Sequence, residues 1–205
     1  MTDFVRGLGR HGYGYAPGLT ADEFAAIEDA CGFRFPPDLR ALLERILPVG
    51  ATFPKWRGLT ADDFQRQQDW LIDGILFDVL EPEFQFWLPA WGDRPLDDGE
   101  AELVVRAAFD AAPTLLPVYA HRFIPTTPAE SGNPVFSVMQ TDIIVYGSSL
   151  PNYFRREFGI PSSSRPWGAT RTIPFWTDIV DRDFDDDDTP PSGRGSSPTD
   201  WSMPA

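Results

Sequence analysis

Residues 20–43 read T-A-D-E-F-A-A-I-E-D-A-C-G-F-R-F-P-P-D-L-R-A-L-L, and this stretch sets the front half of the fold. Thr20 and Glu23 form a capping-box pair that starts a helix at Ala21. Phe24, Ile27 and Cys31 stand at i, i+3 and i+7, one apolar stripe, and Gly32 is suited to the position just past the helix end. Phe33-Arg34-Phe35 is a short extended link, because the residue before Pro36 is pushed out of the helical region. A second helix follows from Pro37, where a proline in the first turn loses no needed hydrogen bond. Leu39, Leu42, Leu43 and Ile46 form its core face, and Pro48-Val49-Gly50 closes it.

Upstream of this stretch, residues 1–18 hold five glycines and read as a flexible, irregular arm. Downstream, Thr60 with Asp63 opens a shorter helix that runs to Leu71. Gly74-Ile75-Leu76-Phe77-Asp78-Val79 reads as a strand, with Phe84-Gln85-Phe86-Trp87 as its antiparallel partner. Asp97 or Asp98 caps a helix to Ala112 whose inward residues are Leu103, Val104 and Ala107, and Pro113 ends it. Leu115 to Tyr119 is a strand, confined to an edge or a bulge because Pro117 cannot donate to a ladder. Val135–Met139 and Ile143–Tyr146 make the clearest hairpin, and Ser149 caps a helix from Leu150 to Phe158 that Gly159 stops.

Ile160 to Val180 is rich in Pro and Ser, yet Trp167, Ile173, Phe175 and Trp176 carry enough apolar area to pack back on the domain. From Asp181 onward the chain reads as an acidic disordered tail. The expected fold class is α+β: a small, mostly antiparallel sheet with helices packed on one face, over residues 19–180.

A chain of 205 residues holds one well-filled core. No run approaches 18 apolar residues, so no spanning helix is expected. The first residues lack the basic-then-apolar pattern of an export signal, and Cys31 stands alone, so a cytoplasmic protein without disulfides is expected. The formal charge is −14, of which the seven Asp and two Arg beyond residue 180 account for −5 and the rest of the chain for −9. Such a charge repels phosphates and argues against nucleic acid as a partner.

Several apparent sites lack their physical context. Gly7-Leu8-Gly9-Arg10-His11-Gly12 matches a dinucleotide fingerprint, but no strand precedes it, so no cofactor is expected. Asp181, Asp183 and Asp185 match three calcium-loop positions, but the glycine and the closing glutamate of that loop are replaced by Asp186 and Ser192. One Cys and two His are too few for an ordinary zinc site. His121, beside Arg122 at a strand end, is the one histidine of the core region, and a catalytic role requires it to converge with a carboxylate such as Asp142. Phe86 and Trp87 read as core, whereas Trp91 lies on a loop between Pro89 and Gly92.

Two further stretches extend the pattern of residues 20–43: L-L-P-V-Y-A-H-R-F-I-P at 115–125, and G-N-P-V-F-S-V-M-Q-T-D-I-I-V-Y-G at 132–147 before a helix ending R-R-E-F-G. Together they resemble the SUKH superfamily, which joins fungal Smi/Knr-type cell-wall assembly regulators to many bacterial proteins. The resemblance covers residues 19–180, and its matching positions, Glu28, Gly32, Phe33, Pro36, Pro37, Asp38 and Leu42, are scaffold. The N-terminal arm and the acidic tail lie outside the pattern. The resemblance implies an α+β fold without catalytic residues, and, for bacterial members, an immunity protein that neutralises a toxin, often a nuclease.

The expected function is therefore a non-catalytic protein-binding domain that meets a basic nuclease toxin through negative potential. Exposed acids and a loop aromatic are the expected contacts: Asp62, Asp63, Glu81, Glu83 and Trp91. A regulatory scaffold with an endogenous protein partner, and an enzyme using His121, stay open as alternatives.

Overall fold

The computed structural model describes residues 2–160 and 170–185, with side chains for 4–160 and 170–182. The element order is α1 (Thr2–Arg10), β1 (Gly14–Pro17), α2 (Ala21–Cys31), α3 (Pro37–Leu43), β2 (Ile46–Val49), α4 (Ala61–Leu80), α5 (Asp98–Ala111), β3 (Leu115–Tyr119), β4 (Arg122–Pro125), β5 (Val135–Met139), β6 (Asp142–Gly147), α6 (Leu150–Glu157) and α7 (Trp176–Asp185). The fold is mixed α+β, with antiparallel pairing throughout its two sheets, β1-β2 and β3-β4-β5-β6.

The α2–α3 unit forms as its sequence dictates. Both halves of the Thr20–Glu23 capping box are made, and Gly32, at φ 73°, returns its N–H to the Glu28 carbonyl. Glu28 then staples the extended link in place: Oε1 accepts from the Phe35 amide at 3.0 Å and from Arg40 at 3.4 Å, while Oε2 faces Arg34 at 3.5 Å. Phe33 and Phe35 turn inward, 5.0 Å apart, against Phe24, Trp56 and Phe64. Asp38 reaches across the molecule to accept from the Gly132 amide at 3.2 Å, which ties α3 to the loop before β5.

Helix α3 stops three residues before Ile46. Ile46–Val49 is the strand β2, paired with β1 from Gly14↔Val49 to Pro17↔Ile46. The N-terminal segment overturns the expectation of an irregular arm: it supplies α1 as well as β1. Phe4 and Leu8, one turn apart, are buried, and Phe4 packs on Phe154 and Phe158 with ring centroids 4.6 and 5.6 Å away. Arg10 donates to the carbonyls of Phe158 and Gly159, the end of α6. The folded body thus begins well before residue 19.

The largest correction concerns residues 72–80. The expected strand at 74–79 is the second half of the 20-residue helix α4, and Phe84–Trp87 follows it as a turn and an extended link. Leu71, Ile72, Ile75, Leu76 and Val79 are buried while Asp73 and Phe77 are exposed, a helical alternation that a strand cannot give. The polar side of this helix is used at one point inside the molecule. Buried Asp78 accepts from the Thr141 amide at 3.0 Å and the Thr141 hydroxyl at 2.5 Å, which fixes α4 to the β5–β6 turn. Gly74 permits that approach, since a Cβ there would stand 3.3 Å from the Gln140 α-carbon.

Helix α5 turns a different face inward from the expected one. Ala101 and Val105 are buried, whereas Leu103 is 68% exposed and Ala107 is exposed. Packing on α4, and on Trp176, whose ring lies 5.9 Å from that of Phe109, sets the rotation. In the four-stranded meander, β3 is an edge strand with an irregularity between Pro117 and Tyr119, where the proline was expected to sit. The β5–β6 hairpin and the Ser149-capped α6 also form as read, and β4 joins them as a short strand that the sequence did not mark.

Helices cover both faces of this sheet, not one. Leu116, Val118, Ile124 and Val135 point into a core shared with α1, α2, α3 and α6. Leu115, Phe123, Phe136, Val138 and Ile143 point into a second core with α4, α5 and α7. Ile173, Phe175 and Trp176 belong to that second core, as expected; Trp167 and the tail beyond Asp185 lie outside the described residues. Helix α7 carries regular structure past Val180, into the segment expected to be disordered. Among the described residues no helix is long and apolar enough to cross a membrane.

Asp78→Ala leaves the Thr141 amide and hydroxyl without their acceptor, and should lower stability by about 1–3 kcal/mol in urea unfolding. Arg57, 2.6 Å from Glu23, and the Thr20 amide hold that carboxyl down, from 4.5 to about 2. A carboxyl depressed in the folded state stabilises it above pH 4.5 and loses that contribution as pH falls toward 2. Arg57→Gln should therefore raise the Glu23 pKa toward 4.5 by NMR titration and flatten the loss of stability in this acid window.

Candidate interaction surface

Helix α4 presents one long face to solvent. Its capping box, Thr60 with Asp63, starts the helix, and every third or fourth residue thereafter falls on the same side. Asp62, Arg66, Asp69, Asp73 and Phe77 are exposed along it. Glu81 and Glu83 follow at its C-terminal end. Asp69 accepts from Gln65 at 2.9 Å, and Asp73 faces Arg106 of α5 at 3.8 Å while staying 67% exposed. The stripe ends in two solvent-facing rings, Phe77 and Phe84, with centroids 6.0 Å apart and exposures of 46% and 58%.

The expected contacts are thereby divided between the two ends of a single helix. Asp62 and Asp63 stand at its start and Glu81 and Glu83 at its end, about 30 Å apart at 1.5 Å per residue. Asp63 is committed internally. It bonds the Thr60 amide and hydroxyl, and these bonds, ahead of the Arg66 charge, hold its carboxyl below the ordinary range. Asp62, Glu81 and Glu83 are exposed, and Asp69, Asp73, Phe77 and Phe84 join them. The strand assignment, which ended the helix at Leu71, kept Asp73 and Phe77 off this face and took Phe84 into the partner strand, whereas Asp69 lies inside the helix that was expected. The heptad-like spacing Asp62, Asp69, Asp73 was the available signal.

Trp91 is half-buried in a short 3-10 turn, Pro89–Trp91. Its ring packs edge-on to Trp87 at 5.3 Å and to Phe86 at 5.8 Å and stacks on Phe175 at 6.0 Å. Phe86 is buried, and Trp87, half-buried, donates its indole N–H to the Gly92 carbonyl at 2.7 Å. Arg94 pins the same loop by donating to the Val79 carbonyl at 3.4 Å and to Asp98 at 2.8 Å, with its guanidinium 5.9 Å from the Trp87 ring. The loop thus holds a partly exposed aromatic cluster in a fixed arrangement a few residues beyond Phe84. Leu96, in the same connection, is fully exposed.

His121 and Arg122 lie near enough to Asp142 for its charge to act on the imidazole. His121 and Arg122 are neighbours at the β3–β4 turn, and no hydrogen bond joins either to Asp142 among the described residues. Burial, then the charge of Arg122, pushes the imidazole pKa down, and Asp142 opposes them. The Arg122 guanidinium is engaged elsewhere, donating to Ser137 Oγ at 3.0 Å and lying 3.9 Å over the Tyr146 ring. Among the described residues no group of three or more His, Cys, Asp or Glu side chains is placed to hold a metal ion. The Gly7–Gly12 run lies in and just after α1, with no strand before it.

Comparison with protein-family models, with curated proteins and with solved structures finds no match to this chain.

Replacing Phe77 and Phe84 together by Ala should leave folding stability within about 0.5 kcal/mol of the parent, because both rings face water. Phe86→Ala, two residues further along the same loop but buried, should cost about 3–5 kcal/mol in the same denaturation measurement.

Proposed function

We propose that this chain is a non-catalytic, cytoplasmic protein-binding domain of the SUKH type, acting as an immunity protein against a basic toxin domain of the nuclease class. The observation that carries this reading is the outer face of α4: Asp62, Asp69, Asp73, Glu81 and Glu83 lead to the exposed Phe77–Phe84 pair. Acids along the stripe supply long-range attraction to a cationic surface, and the rings supply apolar area that a partner removes from water. A nuclease is basic where it holds phosphate, so an acidic stripe competes for the surface that its substrate uses. The net charge of −14 acts in the same direction over longer range.

Mechanistically, such a domain works by occlusion. The loop bearing Trp87 and Trp91 is already fixed by Arg94 and by ring packing, so little ordering entropy is lost when a partner docks beside it. The sequence resemblance to SUKH proteins supports the immunity reading. The Glu28–Asp38 motif is used as internal scaffold, while the outer side of α4 and its following loop stay exposed for a partner.

Co-expression with the toxin domain encoded beside its gene tests the reading. Growth should be restored, and the two proteins should co-elute as a complex that weakens as salt rises. Asp69→Lys with Asp73→Lys should slow association at least tenfold at low salt, and Phe77→Ala with Phe84→Ala should speed dissociation. Undiminished toxicity with no complex overturns the proposal.

A further inference from the structure

The seam between α6 and the four-stranded sheet gathers three buried polar atoms without a partner. Tyr153 is fully buried, and its phenolic oxygen, Arg122 Nε and Glu157 Oε2 all lack a hydrogen-bonding partner. They come from neighbouring segments, and the charges of both Glu157 and Arg122 act on the Tyr153 phenol. Tyr153 and Glu157 are one turn apart on α6. The Tyr153 ring lies 6.1 Å from that of Tyr146, which carries the Arg122 guanidinium 3.9 Å from its centroid. Backbone approach is close as well: a Cβ on Gly147 would stand 2.6 Å from the Tyr153 Cβ, so α6 sits directly against the end of β6.

Their chemistry is complementary to one small molecule. Arg122 Nε–H donates only and an ionised Glu157 oxygen accepts only, while the phenol does both. Burial, reinforced by Glu157, pushes the Tyr153 pKa upward, so the phenol keeps its proton at neutral pH. An anion placed here would meet Glu157 and a cation would meet Arg122. A water accepts from one, donates to the other and keeps a bond for the phenol. Buried polar atoms left unmatched are costly, and a single water relieves all three.

We propose that this seam is a binding site for one internal water, which accepts from Arg122 Nε, donates to Glu157 Oε2 and bonds the Tyr153 hydroxyl, locking α6 to the sheet. Arg122 Nη1 stays on Ser137 Oγ, so the water joins α6 to β4 and, through that serine, to β5.

The sign of one substitution tests this. If the hydroxyl is bonded to water, Tyr153→Phe lowers the folding equilibrium constant about fivefold in urea titration. If the hydroxyl is an orphan, its removal leaves the constant unchanged or raises it, and the proposal fails. A second measurement needs no variant: in the intact protein the Arg122 Hε resonance should show a cross-relaxation peak to a long-lived water. Absence of that peak in a spectrum that resolves Hε also overturns the site.

Discussion

A sheet whose strands turn apolar side chains to both sides has to be covered twice. Phe123 and Ile124, consecutive in β4, enter opposite cores, as do Leu115 with Leu116 and Val135 with Phe136. This double burial dictates where the remaining elements go. The α2–α3 unit and α6 close one face and α4, α5 and α7 the other. Helix α1 cannot be a loose extension, because Phe4 and Leu8 complete the first core beside α6. Burying a large aromatic or aliphatic side chain contributes about 1.5–3 kcal/mol, and these cores contain many of them.

Polar groups then fix how the layers meet. Asp78 joins α4 to the β5–β6 turn, and Asp38 joins α3 to the loop before β5. Arg10 closes the end of α6, and Trp176 donates to the Pro113 carbonyl at 2.7 Å to seat α7. Each bond is modest, but each removes an alternative docking of a helix that apolar contact alone leaves free to slide. Once the inner faces are committed in this way, the acids and rings on the outer side of α4 stay exposed to solvent.

The legible parts of the sequence were those in which neighbours along the chain decide the energy. Thr20 with Glu23 and Thr60 with Asp63 state helix starts because the capping bonds form within four residues. Pro117 states an edge because it has no N–H wherever it is placed. Of the candidate contacts, Asp62, Glu81 and Glu83 were found as exposed acids. Their relation was not, since taking residues 74–79 for a strand cut in two the helix that carries Asp62 in its first turn and leads to Glu81 and Glu83. Phe77 and Phe84 were hidden by the same error: in a strand pair they would have been core.

By itself the sequence determined the capped helix starts, the α2–α3 unit, the β5–β6 hairpin, the mixed α+β class and the strong negative charge. Only the tertiary structure decided that Ile46–Val49 and Gly14–Pro17 pair as strands, that residues 61–80 are one helix, and that Leu103 faces water. A short apolar run such as Ile75-Leu76-Phe77 has similar local energy as helix or strand, because either form satisfies its backbone. The balance is settled by which neighbour takes its side chains out of water, and here the second face of the sheet accepts them at helical spacing.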